Sequence, residues 1–397
     1  MLAAMKRTDI VIVGGGVIGS AIAWWLKAAR GCDARVTVIE ADPTYAQGAT
    51  GRSLGSIRQQ FSTPENILIS RFGIDFIRQA GERLGVDGED RPDVQFREGH
   101  YLFIATEAGA ETLAANVRVQ RATGAAVAML TPAELADRLP WISTEGVAAA
   151  ALGERDEGWL DAYALLRAFR AGAIHAGVEY VTDRADGLMR DGGRLTGVAL
   201  SDGGELGAGI VVNAAGPWAG GLAATAGIDL PVWPRRRTVF TVTTPDPPVD
   251  PVLLIDPSGV YLRPEGAQFL TGSSPLPGQP DPDGGELEPD YSAFDDLIWP
   301  SLAHRAPCFE RLRMTGAWAG FYDFNSFDQN AILGPHPEIG NLYFANGFSG
   351  HGLQQAPAVG RALAEWILDG RSHSLELGRF RYDRIPEGHP IVERGVI

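Results

Sequence analysis

Lysine is nearly missing from this chain. Of its 34 basic residues only Lys6 and Lys27 are lysines, and the others are all arginines. Chemistry that needs a lysine Schiff base, or a lysine beside the reacting centre, is therefore close to excluded. Cysteine is as sparse: Cys32 and Cys308 support neither a disulfide framework nor a thiolate zinc site. No metal site is expected, and a reducing, cytoplasmic setting is the simplest inference. Positive charge is short too, with 34 basic against 49 acidic residues and a net charge of −15. That balance argues against nucleic acid or an anionic membrane surface as the main partner. No apolar run is long enough to cross a bilayer. Lys6 and Arg7 ahead of an apolar run imitate a secretory leader, but three glycines interrupt the run and no small-residue cleavage site follows. Glycine is what the chain has in plenty, 50 residues of 397, with 45% apolar residues beside it. Such a composition suits a large core with many tight turns, and two domains fit the length.

The rest of the sequence is organised around Ile10 to Glu40. Ile10 to Val13 is a β-branched run, as in a parallel strand buried on both faces. Gly14, Gly16 and Gly19 form a G-x-G-x-x-G turn: the first permits the bend, the second lets a pyrophosphate approach, the third lets the next helix lie close. That helix, from Val17 to about Ala29, points free N–H groups and its positive dipole end at the phosphates. Val36 to Ile39 gives the second strand. Glu40, about twenty residues beyond Gly19, can accept both hydroxyls of an adenosine ribose. A carboxylate there repels a 2′-phosphate, so FAD or NAD is favoured over NADP.

Gly48 to Ser62 follows, a stretch of small residues that lets backbone approach a flat ligand, and then a helix over Pro64 to Gly81. Nicotinamide enzymes have no standing need for such a second cluster; a flavin lying across the sheet does. Arg97 to Ile104 reads as one strand, Glu107 to Thr123 as a helix, Thr131-Pro132 as a helix start and Ala162 to Ala176 as another helix. A strand at Gly177 to Val181 and hairpins around Gly192-Gly193 and Asp202-Gly203-Gly204 lead to Ile210 to Asn213, which ends on Ala214-Ala215-Gly216-Pro217-Trp218. From Pro231 to Gly320 the composition changes. Val239 to Thr243, Gly259 to Arg263 and Gln268 to Gly272 alternate like antiparallel strands between the proline-rich stretches 245–251 and 275–289, with a helix expected over Tyr291 to Ala303. The last part returns to strand, glycine turn and helix: Asn341 to Ala345, Gly347 to Gly352, and Leu353 to Leu368 with a stop at Gly370. No internal repeat is present.

With these segments in order the chain resembles the D-amino acid oxidase superfamily of FAD-dependent oxidoreductases, which includes glycine oxidase and sarcosine oxidase. The likeness covers nearly the whole length. Ser56-Ile57-Arg58-Gln59-Gln60-Phe61-Ser62, Phe327-Asp328-Gln329-Asn330 and Gly350-His351-Gly352-Leu353-Gln354-Gln355-Ala356-Pro357 look most like the branch of FAD-dependent oxidoreductase domain-containing protein 1 and its bacterial relatives. The resemblance implies an α/β fold: a Rossmann-like FAD-binding domain of residues 1–90, 145–230 and 325–397, and an inserted antiparallel-sheet (α+β) substrate domain of 91–144 and 231–324. It implies FAD held by Gly14, Gly16, Val17, Ile18, Gly19, Glu40 and Ala41, by Thr50, Gly51, Arg52, Ser53, Gly55 and Ser56, by Ala185, Ala215, Gly216 and Trp218, and by Gly350, His351, Gly352, Leu353 and Gln354. It departs from the family at the position of the flavin-tethering cysteine, which is Gly320, and of an active-site histidine, which is Leu54, so FAD is expected to be noncovalent. Phe61, Gln354 and Tyr322 stand where relatives carry basic residues that grip a carboxylate. The customary clamp is missing.

The activity implied is oxidation of a secondary amine such as an N-substituted amino acid or imino acid. Hydride leaves the carbon next to nitrogen for flavin N5, and water hydrolyses the imine. Such chemistry asks the protein for position and a neutral amine more than for acid or base groups. Arg58, and Arg263 with Tyr261, are the candidates for a carboxylate, with Tyr322 a hydrogen-bonding substitute and His351 near the ring. For Arg263 a surface ion pair is the competing reading, and Arg235, Arg236 and Arg237 read mainly as a solvated face with one able to turn inward. Asp328, Gln329 and Asn330 either order polar groups near the ring or cap a turn; His336 reads as a loop residue. The partners expected are a small amine and an acceptor that is oxygen, a quinone or a protein; an oligomer is compatible with the sequence. Two other functions stay open: an NAD-dependent dehydrogenase, and an assembly or scaffold protein that keeps FAD for stability alone.

Overall fold

A computed structural model describes residues 6–275, 281 and 283–395. Part of the second proline-rich stretch, 276–280 and 282, lies outside the described residues.

Lys6–Val13 is the centre of the first sheet. It pairs in parallel with Val36–Glu40 on one side and Glu205–Asn213 on the other, and Val36–Glu40 pairs in parallel with Glu179–Thr182. The IVIV and VTVI runs that the sequence reading takes for doubly covered strands are buried almost throughout. Glu205–Asn213 divides its far edge: its first residues take the antiparallel hairpin strand Arg194–Leu200, and its last three take Leu342–Asn346 in parallel. Ala185–Asp191 and Ile332–Pro335 complete eight strands. One face is covered by the helices Val17–Trp24, Pro64–Arg78, Ala162–His175 and Gly352–Asp369, packed around Trp24, Phe76 and Phe169 with ring centroids 5.4–5.8 Å apart. The Val17 helix runs on as a wider turn over Trp25–Ala29, as far as its sequence pattern predicts.

The second sheet also has eight strands, in the order Arg313–Asn325, Val232–Thr243, Gln268–Ser273, Val260–Glu265, Leu253–Ile255, Tyr101–Ala105, Ala149–Gly153 and Val127–Leu130. The fold is thus mixed α/β with a separate, mostly antiparallel sheet. Ala149–Gly153, inside a span assigned by sequence to the nucleotide unit, pairs in this second sheet, its five buried small and apolar residues lying between Tyr101–Ala105 and Val127–Leu130.

One further expectation needs correction. Arg97 to Ile104 is not one strand: Arg97–Gly99 pairs with Glu157–Trp159 in a small three-stranded sheet, the pairing breaks at His100, and Tyr101–Ala105 joins the large sheet. The helix expected over Tyr291 to Ala303 is present: helical backbone runs over residues 292–305, widening at Phe294–Ile298 before Trp299–Arg305. Among the described residues no helix is long and apolar enough to cross a membrane, and no group of metal-ligating side chains forms.

Candidate active site

A cavity of about 870 Å³ lies between the two sheets. On one side it is lined by the carboxyl ends of parallel strands, at Val13, Ile39, Glu40 and Ala214, where open α/β sheets bind their ligands. On the other it is lined by Val239, Leu253, Ile255 and Tyr261 of the second sheet. Its size falls in the upper part of the range for sites that enclose whole ligands.

The nucleotide end follows from the glycine turn. Gly14 takes φ +99°, and a Cβ there would stand 2.2 Å from the Ala214 carbonyl oxygen. A Cβ on Gly19 would meet the Gly14 carbonyl at 1.9 Å, so Gly19 fits the helix to the turn and does not itself line the cavity. Gly16, the N-cap, does line it and carries no side-chain cap, which leaves the first helical N–H groups to a ligand; Val17 N–H leans on Thr50 Oγ1 at 3.3 Å. Glu40 faces the cavity while its carboxylate accepts Gly15 N–H at 2.7 Å and Asp42 N–H at 2.9 Å. Burial raises its pKa against those hydrogen bonds.

A second helix start, Gly352–Asp369 with His351 as an uncapped N-cap, enters the same cavity from the opposite side in sequence. Gln354 is 3% exposed; its Oε1 accepts the Arg58 backbone N–H at 2.7 Å, and its Nε2 is buried without a partner. Arg58 is 7% exposed, and its guanidinium lies 4.8 Å from the Phe61 ring centre and 5.3 Å from that of Phe103. Its Nη2 donates to His351 Nε2 at 3.0 Å. Arginine only donates, so that nitrogen carries the lone pair and the imidazole proton sits on Nδ1. Burial, with Arg58 beside it, pushes the His351 pKa down to about 3. The ring is neutral at any ordinary pH.

Phenols line the same cavity. Tyr101, Tyr261 and Tyr322 all line the cavity, and burial raises each of them, Tyr101 to about 12. Tyr322 packs on Gly350, whose added Cβ would meet its ring at 2.8 Å. Asp323 also faces the cavity; Oδ2 accepts Phe348 N–H at 3.0 Å, and burial pushes its carboxyl up to about 6.

Of the residues singled out by sequence, the cavity wall unites Gly14, Gly16, Val17, Ile18, Glu40, Ala41, Thr50, Arg52, Ser53, Ser56, Ala185, Ala215, Gly216, Trp218, Gly350, His351, Gly352, Leu353 and Gln354 with Arg58, Tyr261 and Tyr322. Gly51 and Gly55 are not on it: they press against the carbonyls of Tyr45 and Leu160 and shape the loop behind. Arg263 is a correction. It shares a strand face with Tyr261 but sits two residues further along, where it pairs with Glu265 at 2.5 Å and covers the Trp159 ring at 5.6 Å, away from the cavity. Arg237 is the arginine that turns inward, held by Asp281 at 2.7 and 2.9 Å and over the Tyr322 ring at 5.5 Å. Alternation along Val232–Thr243 separates it from Arg236, whose neighbouring face is the solvated one. Asp328 and Asn330 are also away from the cavity: Asp328 ties Arg384 at 2.7 Å and the Ile391 N–H at 2.9 Å, fastening the C-terminal segment. His336 Nδ1 accepts the amides of Glu338 and Ile339, a loop role as expected. Tyr101 and Asp323 carried no sequence signal, since a tyrosine or an acid on a strand is ordinary.

The residues present fit FAD. The backbone is bare to the cavity at Gly16 and Gly216, two uncapped helix starts converge on it, a ribose-length acid stands at one end, and the unpartnered Gln354 amide stands at the other. No cysteine lines the wall.

The family described as FAD dependent oxidoreductase matches residues 9–366. FAD-dependent oxidoreductase domain-containing protein 1 of Xenopus laevis is 43% identical over 427 residues, covering 99% of this chain and 85% of that protein. The 4-methylaminobutanoate oxidase (formaldehyde-forming) of Paenarthrobacter nicotinovorans is 28% identical over 93% of this chain and 45% of its own. Among solved structures, L-proline dehydrogenase from P. horikoshii has a TM-score of 0.85 at 27% identity, with 98% of this chain and 100% of that one covered.

Proposed function

The chain belongs to the FAD dependent oxidoreductase family, and from that premise we propose that it oxidises a secondary amine carrying a neighbouring carboxylate, an N-substituted amino acid or imino acid. With FAD as the family's cofactor, the NAD alternative is set aside. One observation carries the substrate reading: Arg58 is a buried guanidinium on the cavity wall with no carboxylate in ion-pair range among the described residues. A buried cation is costly unless something pairs with it, and an incoming carboxylate would. The names of two relatives, one acting on a methylamino acid and one on proline, agree with an amine of this class.

When bound, FAD would supply a two-electron acceptor for hydride from the carbon next to nitrogen. Gly14, Gly16 and the Val17 helix would hold its pyrophosphate, Glu40 its ribose, and the Gly352 helix start would favour negative charge on its ring. Arg58 grips the carboxylate, Tyr261 and Tyr322 offer phenols to its second oxygen or to the amine, and His351 orients Arg58 as a neutral acceptor. Leu253, Ile255 and Val239 exclude water around the carbon chain. Water then hydrolyses the released imine.

FAD is held without a covalent link in this reading, as Gly320 and Leu54 stand at the tethering and histidine positions and both line the cavity. Neither lysine comes near: Lys6 pairs with Glu179, and Lys27 donates to Ala34 O at 3.2 Å. The acceptor is then a quinone or a protein in preference to oxygen. A cytoplasmic setting agrees with both cysteines being free thiols. The test is to screen the purified yellow protein under argon with N-alkyl amino acids, imino diacids and opines. Bleaching with imine-derived products supports the proposal; no bleaching by any of them favours a scaffold role.

A further inference from the structure

Beside Arg58 stands a second buried charge that the reaction does not use. Glu157 is 1% exposed, and among the described residues no cation lies within ion-pair range of it. The antiparallel pairing of Ser56 with Trp159 and Ile57 with Gly158 ends one residue short of Arg58 on one strand and of Glu157 on the other. The carboxylate holds the two residues after Arg58: Oε1 accepts Gln59 N–H at 2.7 Å and Oε2 accepts Gln60 Nε2 at 3.0 Å. A buried cation on the cavity wall and a buried acid off it, neither with an ion-pair partner among the described residues, thus stand on neighbouring segments.

We propose that Glu157 is the resident counter-charge of Arg58, and that a carboxylate arriving at Arg58 takes over that role while one proton from solvent moves onto Glu157. This rests on the reading of Arg58 as the carboxylate holder. Two buried carboxylates cannot both stay ionised next to one guanidinium without a large repulsion. The incoming one makes the direct contact, so Glu157 is the one that protonates. Its environment is already poised for this: burial pushes its carboxyl up to about 7, against the pull of Gln59, Gln60 and Arg58. Arg58 faces it from one side and Tyr101, which does not titrate below about 12, from another. His100 lies beyond, bound to Gly153 O at 2.7 Å, and Asp156 and Glu98 are taken up by Arg78 on the outer side. Asp323, at the same end as Tyr322, and Glu40, at the ribose end, are acids on the cavity wall that burial also raises.

The consequence is that carboxylate binding weakens with rising pH, at most about tenfold per pH unit, once Glu157 is ionised in the free enzyme. Propionate is a suitable probe because it has no amine to titrate. The FAD-loaded protein is titrated with propionate at about pH 7.5–8.5 by calorimetry in buffers of different ionisation enthalpy, which counts protons directly. Uptake approaching one proton per propionate is expected, lost in Glu157→Gln and retained in Asp323→Asn. Glutamine is nearly isosteric with glutamate, and its Oε1 can keep the Gln59 N–H. No uptake by the wild-type protein, or uptake that survives Glu157→Gln, overturns the proposal. Arg58→Met in the same titration separates the two readings: undiminished propionate binding there removes the carboxylate holder and this proposal with it, whereas lost binding without wild-type uptake removes Glu157 alone.

Discussion

Replacing Arg58 by methionine removes the charge that the substrate carboxylate is expected to meet and leaves most of the volume over Phe61 and Phe103. A charge-assisted hydrogen bond to a carboxylate contributes about 1.5–3 kcal/mol. For a two-pronged contact partly replaced by the phenols of Tyr261 and Tyr322, a net loss of about 3 kcal/mol is reasonable, which is about a hundredfold in affinity. The fold should not suffer in proportion. The Arg58 side chain gives up one hydrogen bond, to His351, and two ring contacts, while the protein no longer has to bury a cation without an ion-pair partner. The backbone N–H that Gln354 accepts stays in place. The assay is flavin reduction under argon over a range of an N-methyl amino acid, with the matching amine that lacks the carboxylate as control. A KM higher by about a hundredfold for the acid, no change for the control, and full yellow colour are expected. A change below about threefold, or equal losses for acid and control, would refute the role given to Arg58.

Gly14→Val should abolish FAD retention, because the backbone there has positive φ and a Cβ would strike the Ala214 carbonyl; the flavin absorbance of the purified variant reads it. Tyr322→Phe keeps the packing on Gly350 and loses one hydroxyl, so kcat/KM should fall about tenfold with FAD content unchanged. Lys27→Met should leave oxygen reactivity of the reduced enzyme as it was, and a large loss in oxygen consumption would show that a lysine matters after all. Glu157 also predicts a pH signature in stability. Its folded pKa of about 7 lies above the ordinary 4.5, so its contribution is fully present below about pH 4.5 and is lost as pH rises through about 7. Glu157→Gln should therefore raise Tm relative to the wild-type protein at about pH 8.5 and change it little at about pH 4.5, measured by thermal unfolding of the FAD-loaded protein.

The nucleotide end was legible in the sequence because its signals are local. Strand, Gly14-Gly16-Gly19 turn, helix and Glu40 lie within one βα unit, and each glycine answers a contact made by near neighbours or by one crossing strand. The substrate end was legible only in part. Arg58 follows the small-residue cluster directly and could be named. Arg263 was preferred to Arg237, because strand alternation states which face a side chain takes but not how far along the strand the cavity extends. The register of Val232–Thr243 against Arg313–Asn325, which sets Arg237 opposite Gly320, is a long-range fact. The break at His100 has the same origin, since two strands of different sheets are separated there by a single residue. Glu157 was invisible for that reason: nothing near it in sequence announces Arg58.

The central claim is that one cavity holds FAD at its glycine-bearing end and an amino acid carboxylate at Arg58. The direct measurement is the rate of anaerobic flavin bleaching by an N-methyl amino acid compared with the same N-methyl amine without its carboxylate. The account predicts saturable, fast bleaching by the first and slow, unsaturated bleaching by the second. Equal rates for both, or a flavin that neither compound reduces, would contradict it.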